Sequence, residues 1–365
     1  MKKIITLILA VALALTAMVS CSINDTEVAV IWSEQSDDYI FTVADALDRA
    51  FYIENVKYKH YDAKGDSAEQ LKLVDDAIKA GTPVLVVNPT NAATATAVVA
   101  KAKDADIPVI FVEADLLSLA AIKAENYAKA YTVNAGADSI VPVLGEKIAA
   151  DLAENYTDYD RNGDGKITIA SLGIIGAASI EEINKELAEI KSDKKPPKAL
   201  KDIDNPEVVA MDIKYYGANN VETVNKMLAD FAGVGSNEVK PTAAELIVLD
   251  DQAEVDDVLL AMREFELNHK KLVTHFIPLY TVGNTKNMGN LLGEKAKQEE
   301  KDAYSVLNVI DNGYLSGAVV QDDNGIATAV AEMVRAIIKG EDVLGGVEES
   351  YVKDGAVLVP YTIYG

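Results

Sequence analysis

The feature that most limits what this chain can fold into is a repeated alternation between short apolar runs and amphipathic stretches. The first apolar run, Val28–Trp32, suits a strand buried on both faces, and the stretch after it repeats its apolar residues with the period of a helix. The couplet recurs along the chain, with apolar runs at 56–61, 83–87, 108–112, 167–174, 208–215, 245–249 and 272–276. Strands that alternate with helices predict parallel sheets covered by helices on both faces.

The size and charge of the chain limit its function. Its 365 residues are enough for two domains of ordinary size, and 49% hydrophobic with 25% charged residues is an ordinary globular balance. The 58 acidic residues outnumber 34 Lys and Arg, which leaves a formal net charge of −24. Because a chain this acidic repels phosphate, we expect no nucleic-acid partner. One Cys and three His exclude an internal disulfide and a Cys-based zinc site and disfavour a His-rich metal site.

The N-terminal residues predict export. Two lysines are followed by the apolar run 4–19 and then by Ser20 and Cys21, which matches the regions of a signal peptide. The run is shorter than the roughly 20 residues of a membrane-spanning helix. Met18 to Cys21 resembles the lipobox of bacterial lipoproteins, in which the Cys is lipidated and becomes the new N-terminus. We therefore expect a lipoprotein signal over 1–20, a lipid anchor at Cys21 and a polar tether over 21–27. The alternative is an ordinary secretory signal with an incidental Cys.

Polar or aromatic residues follow the apolar runs, and in open parallel sheets ligands bind at the carboxyl ends of the strands. Two such edges facing each other would form a polar cleft with aromatic faces, which suits a small hydroxylated molecule. Asp, Asn and Ser also cap helices whatever the function, and Trp32, the single Trp, fits the core equally well. The residues at these positions are Trp32, Ser33, Glu34, Asp37, Asp38, Tyr39, Asn88, Glu113, Asp115, Tyr216, Asp250, Asp251, Gln321 and Asp322.

The segment 160–168 carries the sharpest local motif. It places oxygen-bearing side chains at positions 1, 3, 5 and 9 of an EF-hand-type loop, with Gly165 at position 6 and a backbone carbonyl at position 7. Position 12 is Leu172, which lacks the bidentate carboxylate, so a cation would need a carboxylate from elsewhere in the fold. We expect a structural calcium site; the alternative is a turn held by Asx side chains without a metal. The loop ligands would be Asp160, Asn162, Asp164, the Lys166 carbonyl and Thr168.

An exported chain with two series of strand–helix couplets and a truncated EF-hand loop resembles a known family. It is similar to the galactose/glucose-binding proteins of bacterial ABC importers, which are type I periplasmic binding proteins of the ribose-binding superfamily. In that family a remote Glu at the start of a second-domain strand completes the calcium sphere, which implies Glu245 here. The likeness extends over most of the chain after the signal, at segments 28–41, 84–88, 108–114, 160–168, 244–251, 315–322 and 359–361.

The resemblance implies an α/β fold of two Rossmann-like parallel-sheet domains joined by a three-strand hinge, with the ligand in a cleft between them. The chain would cross between domains near 134–135, 321–322 and 357–359. It also implies a monomer with structural calcium that delivers a monosaccharide to an ABC permease and its ATPase, or that signals to a chemoreceptor or sensor kinase. The expected lobes are 28–134 with 322–357, and 135–321 with 358–365.

The sugar-contacting positions depart from the family pattern. Where the family has Asn-Lys, this chain has Glu113 and Ala114, and Asp251 and Gln321 replace two further Asn. The family's His, Asp and Arg correspond to uncharged residues within 178–184. Lost basic groups and added carboxylates allow a solute other than galactose or glucose, such as a related sugar, a polyol or a cation. The implied ligand-binding residues are Trp32, Asp37, Asp38, Tyr39, Glu113, Tyr216, Asp251 and Gln321.

An enzyme is the competing class. Paired carboxylates at 37–38, 250–251 and 256–257 have the chemistry of a glycosidase acid and base. Adjacent residues seldom face each other across a bond, and the sequence contains none of the motifs of P-loop enzymes, serine hydrolases or zinc hydrolases. We therefore expect a binding protein without catalytic activity.

Overall fold

The chain divides into two compact units, each built from two separate pieces of sequence. The first unit comprises Met1–Ala135 and Asp323–Val359, and the second comprises Gly136–Asp322 and Pro360–Gly365. The boundaries expected from the sequence differ from these by one or two residues at each crossing. The computed structural model describes residues 27–160, 162–172, 174–211, 245–249, 258, 278–283 and 315–364.

Strands and helices alternate along most of the described chain. The strands are β1 (Val28–Trp32), β2 (Tyr58–Asp62), β3 (Leu85–Val87), β4 (Val109–Val112), β5 (Ala130–Gly136), β6 (Lys166–Leu172), β7 (Glu207–Ala210), β8 (Leu246–Leu249), β9 (Leu279–Gly283), β10 (Gly317–Val320), β11 (Val352–Lys353), β12 (Ala356–Pro360) and β13 (Thr362–Tyr364). The helices are α1 (Asp38–Ile53), α2 (Ser67–Ala80), α3 (Ala92–Asp104), α4 (Leu116–Ala124), α5 (Ile140–Tyr159), α6 (Ile175–Ser192), α7 (Lys198–Lys201) and α8 (Asp323–Lys339). Within the described part of the chain, no helix is both long enough and apolar enough to span a bilayer.

The sheet of the first unit has seven strands in the order β11-β12-β5-β4-β3-β1-β2. β1 pairs in parallel with β2 and β3, β3 with β4, and β4 with β5, whereas β11 pairs antiparallel with β12. Every residue of β1, β3 and β4 is buried, because α1 and α8 pack on one face and α2 and α3 on the other. The parallel pairing places the carboxyl ends of β1, β3, β4 and β5 at one edge of the sheet.

The sheet of the second unit has six strands in the order β13-β10-β9-β8-β6-β7. β6 pairs in parallel with β7 and β8, β8 with β9, and β9 with β10, so the predicted parallel α/β sheets are confirmed. Buried side chains of α5 and α6, among them Leu144 and Leu187, pack together in the core of this unit. Gly145 lets the two helices approach closely, since a Cβ there would lie 2.8 Å from the Glu182 side chain. The strand predicted at 272–276 lies outside the described residues. The next described strand, β9, was not predicted from the sequence.

Polar side chains start the helices that follow β1 to β4. Asp37, Asp66, Asn91 and Asp115 each accept hydrogen bonds from backbone N–H groups of the first turn of α1, α2, α3 and α4. α2 ends at Gly81, whose left-handed φ of 82° suits glycine. Because each helix begins just beyond a strand, the cap residues share the carboxyl edge of the sheet with the candidate ligand residues.

Candidate functional site

One amide side chain joins the ends of β1, β3 and β4. Asn88 follows β3, and its Nδ2 donates to the carbonyl oxygens of Val112 (3.0 Å) and Glu113 (3.1 Å). Its Oδ1 accepts hydrogen bonds from the N–H and the hydroxyl of Ser33, directly after β1. Asn88 is buried and its amide bonds to protein groups on both sides. It therefore organises this edge of the sheet.

Glu113 begins the loop after β4 with a left-handed backbone, at φ 50°. Its Oε1 accepts a hydrogen bond of 2.6 Å from the N–H of Ala135 in β5, and the Tyr39 side chain of α1 lies near the same carboxyl group. Burial raises the pKa of Glu113 to about 7, and the Ala135 N–H and the Tyr39 side chain oppose this rise because they favour the charged form. The structure thus brings two predicted ligand residues, Glu113 and Tyr39, into contact.

Asn134 is a residue of this edge that the sequence analysis missed. It lies in β5 with 8% of its surface exposed, and its Nδ2 donates to the carbonyl oxygen of Ala114 at 2.7 Å. Among the described residues nothing donates a hydrogen bond to its buried Oδ1. An unsatisfied buried acceptor costs about 1–3 kcal/mol, so this atom suits a donor from a bound molecule. Asn134 stands inside a strand, whereas the sequence pattern pointed to residues that follow the apolar runs.

Asp37 serves the helix that follows it. Its Oδ1 accepts hydrogen bonds from the N–H groups of Tyr39 (3.0 Å) and Ile40 (2.9 Å) at the start of α1. The capping alternative raised by the sequence therefore holds for this residue, and contact of its exposed carboxylate with a ligand stays a prediction. The side chain of Asp38 lies outside the described part of the structure.

Trp32 belongs to the core of the first unit. Its side chain is 0% exposed, and its Nε1 donates to Nδ1 of His60 at 2.7 Å. The two rings stack with their centroids 5.9 Å apart, and Nε2 of His60 bonds to Oδ1 of Asp48 at 2.7 Å. Because no face of the indole is accessible, Trp32 offers no stacking surface for a ligand here. Trp32 is therefore a core residue in this structure, which is the alternative that the sequence also allowed.

Of the candidates in the second unit, Gln321 lies within the described residues, at the carboxyl end of β10. Its N–H donates to the carbonyl oxygen of Gly283 at the end of β9 (3.3 Å), which continues the pairing of the two strands. Tyr216 and Asp251 lie outside the described residues. Contact of all three residues with a ligand stays a prediction.

The loop 160–168 folds around its own polar side chains, between α5 and the start of β6. The two carboxylate oxygens of Asp160 accept hydrogen bonds from the N–H groups of Asp164 (3.1 Å) and Gly165 (2.9 Å). The Asn162 side-chain oxygen accepts from the same Asp164 N–H (2.8 Å), and Oδ1 of Asp164 accepts from the Lys166 N–H (2.9 Å). Gly165 has φ 82°, as the sharp turn at position 6 requires.

Glu245 reaches this loop from the start of β8. The side chain is 1% exposed, and its two oxygens accept hydrogen bonds from the N–H groups of Asn162 (3.4 Å) and Thr168 (3.0 Å). Its own N–H donates to the Thr168 carbonyl oxygen at 2.9 Å, in the ladder between the two strands. The fold thus places at the loop the distant carboxylate that the resemblance implied.

The donors of the loop fit a hard cation. Glu245 and the side chains at positions 1, 3 and 5 present oxygen atoms, which are the ligands that calcium prefers. The Lys166 side chain forms an ion pair with Glu207 at 2.7 Å, and its carbonyl is the group that the loop pattern uses. In the part of the chain that the structure describes, no three His, Cys, Asp or Glu side chains lie close enough together to hold a metal ion. Calcium at this loop therefore stays a prediction.

Comparison of the sequence with known families identifies the class of protein to which the chain belongs. The model of the periplasmic binding protein domain matches residues 28–342, which is most of the chain. The chain therefore belongs to this family, whose members are binding proteins and not enzymes. The family also agrees with the export that the N-terminal residues predict, whereas lipid anchoring at Cys21 lies outside the described residues and stays a prediction.

The ribose import binding protein RbsB of Escherichia coli (strain K12) is 29% identical to this chain over 182 residues, which is 50% of this chain and 55% of the relative. The chain thus spans about half the length of the curated relatives it matches. An ABC transporter solute binding protein from Bradyrhizobium sp. BTAi1, solved with Bis-Tris, is 13% identical with a TM-score of 0.53, and the match covers 93% of this chain and 82% of that one. AraP, an arabinose binding protein from Geobacillus stearothermophilus, is 14% identical with a TM-score of 0.50, covering 93% and 96%. These two structures show the shared fold.

Proposed function

We propose that this protein is an exported solute-binding protein that captures a small hydroxylated solute, a monosaccharide or a related polyol. It passes this solute to an ABC permease and its ATPase. The observation that carries the proposal is the match of the periplasmic binding protein domain over 28–342. The ribose import binding protein of Escherichia coli supports a sugar as the solute, since it is 29% identical over half of this chain.

The carboxyl edge of the first sheet supports a solute that is rich in hydrogen-bond donors. Glu113 contributes a carboxyl group and Asn134 a buried acceptor atom that no described residue satisfies. Sugar hydroxyls donate to such acceptors, and the hydrogen bonds are stronger when the acceptor is ionised. A carboxylate also attracts cationic groups, so a small organic cation is the competing solute.

A thermal-shift screen tests this proposal on the chain without residues 1–20. The probes are D-ribose, D-galactose, D-glucose, L-arabinose, myo-inositol and spermidine, at 10 mM each. We expect a monosaccharide or the polyol to raise the Tm, since a solute at 100 times its Kd stabilises a protein by about 2.7 kcal/mol. Glu113→Ala should reduce the shift, and the exposed Glu348→Gln should retain it. Stabilisation by spermidine alone would replace the sugar with a cation. No shift with any probe, together with hydrolysis of an aryl glycoside, would contradict the proposal.

We further propose that calcium occupies the loop 160–168 as a structural ion. Support comes from the oxygen donors of the loop and from the buried Glu245 carboxylate beside it. Calcium should raise the Tm and EDTA should lower it, because an ion that binds only the folded state stabilises that state. Asp164→Ala should abolish the response, whereas Asp158→Ala, an exposed residue of α5 just before the loop, should keep it. A calcium response that survives Asp164→Ala would refute the site.

The N-terminal residues complete the proposal with a lipid anchor at Cys21 that faces the cell exterior or periplasm. In cells given labelled palmitate, the full-length chain should take up label and sediment with membranes. Cys21→Ala should remain unlabelled. Export of an unlabelled and freely released wild-type chain would favour the ordinary secretory signal.

A further inference from the structure

The chain leaves the first unit at the end of β5, and three hydrogen bonds tie this stretch to the loop after β4. The N–H of Glu113 donates to the Val133 carbonyl (3.0 Å), and Nδ2 of Asn134 donates to the Ala114 carbonyl (2.7 Å). The third bond, from the Ala135 N–H to Oε1 of Glu113 (2.6 Å), is the one nearest the crossing between the units. It is also the one whose acceptor can gain or lose a proton.

The backbone at Glu113 is held in a conformation that glutamate rarely adopts. Among the described non-glycine residues with positive φ, most are Asn or Asp in turns, which tolerate this region. Glu113, at φ 50°, and Lys64, at φ 54°, are the exceptions. Such strain persists only where the surroundings hold it, and it concentrates at functional sites. Here it accompanies the turn that brings the Glu113 carboxyl to β5.

Both protonation states of Glu113 are accessible near neutral pH. Burial raises its pKa to about 7, while the Ala135 N–H and the Tyr39 side chain favour the charged form. The nearest carboxylates along the chain are committed elsewhere, because Asp115 accepts from the first turn of α4 and Asp37 from that of α1. Tyr39 is the titratable side chain of α1 that lies near Glu113.

We propose that Glu113 is a positioning residue that fixes the end of β5 through the Ala135 amide, and that this bond weakens when Glu113 takes up a proton. A hydrogen bond to a carboxylate is roughly twice as strong as one to a neutral acceptor. The crossing strand is therefore held more firmly in base than in weak acid. The statement that this strand borders a solute site rests on the proposed function. The hydrogen bond between Glu113 and Ala135 does not depend on that function.

The Ala135 amide reports on this bond without any solute. The chain without residues 1–20 is labelled with 13C-carbonyl Asn and 15N-Ala, and an HNCO spectrum then selects Asn-Ala pairs. The sequence contains two such pairs, so the spectrum holds two resonances, those of Ala135 and of Ala92. Ala92 lies in the first turn of α3 and is the control within the same sample.

Between pH 5.5 and 8.5 we expect the Ala135 amide proton to move downfield with a midpoint near pH 7, and Ala92 to stay constant. Glu113→Gln should abolish the titration, whereas the exposed Glu348→Gln should retain it. An Ala135 resonance that does not titrate, or that titrates unchanged in Glu113→Gln, overturns the proposal. If Glu113→Gln does not fold, the pH titration of the wild-type Ala135 resonance, with Ala92 as the control, still tests the proposal. A failed sugar screen leaves this result standing, and a failed titration leaves the solute proposal standing.

Discussion

The loop 160–168 and the carboxyl edge of the first sheet are both polar sites, but they are assembled in opposite ways. The hydrogen-bonding groups of the loop come from within the short segment 160–168, and the fold adds one distant carboxylate, Glu245. The edge combines α1 with the ends of β1, β3, β4 and β5, and its central contact joins Glu113 to Ala135 and Tyr39. A motif that is local in sequence predicts its own hydrogen-bonding residues. In a site assembled from distant strands, the role of each residue depends on neighbours that only the fold supplies.

The largest expected effect is at the distant carboxylate of the loop. Glu245→Ala leaves the N–H groups of Asn162 and Thr168 without their buried acceptor, so we expect the free energy of unfolding to fall by about 3 kcal/mol. The calcium response of the Tm should disappear with it. Denaturant unfolding with and without calcium measures both. Glu207→Gln removes a half-exposed partner of Lys166 and should cost less than about 0.5 kcal/mol. If the Glu245→Ala variant has wild-type stability, the loop does not depend on this distant carboxylate, which would contradict the contrast drawn above.

At the edge of the first sheet, removal of a carboxylate should raise the free energy of unfolding instead of lowering it. The pKa of Glu113 rises from 4.5 to about 7 on folding, so the folded state binds the proton more tightly and the wild type loses stability as the pH rises from about 4.5 through 7. Glu113→Gln removes this loss and should be more stable than the wild type by about 3 kcal/mol at pH 8, and nearly equal to it at pH 4.5. Urea unfolding at both pH values measures the difference. Equal stability at pH 8 would mean that Glu113 ionises without cost.

A substitution at Trp32 tests whether this residue belongs to the core or to the ligand site. Trp32→Phe removes the hydrogen bond to His60 and leaves a gap in a fully buried position, so we expect a loss of about 1–2 kcal/mol. The Tm shift caused by a bound solute should not change, because the indole has no accessible face. Phe41→Ala, at a position that is 48% exposed, is the control and should alter stability little. If Trp32→Phe abolishes the solute response but leaves stability intact, the indole belongs to the site after all.

The smallest effect is expected at Asp37. Asp37→Ala removes the cap of α1 and should cost about 1 kcal/mol, while Asp37→Asn keeps an acceptor and should cost a few tenths. Thermal unfolding of both variants checks the capping role. A solute-induced Tm shift that is lost in Asp37→Asn but retained in Glu348→Gln would show that the Asp37 carboxylate also contacts the ligand.

The fold was more accessible to prediction than the site. Continuous apolar runs predicted β1, β3 and β4, because a strand buried on both faces needs apolar side chains at every position. The same reasoning left Trp32 open between core and ligand site, since a residue at the end of a buried strand can close the core or face a ligand with no difference in the local sequence. Asn134 was missed for a related reason: the unsatisfied state of its Oδ1 arises from the packing around β5.

The sequence by itself determined the alternation of strands and helices and the oxygen pattern of the loop 160–168, since each depends on neighbours within a few residues. The tertiary structure alone decided that Glu245 meets this loop, that Trp32 is enclosed and that the Glu113 carboxyl turns to the Ala135 amide. The physical reason is that burial and hydrogen bonding between distant strands depend on the register of the sheets. That register is set by the packing of the whole unit, and no short segment encodes it.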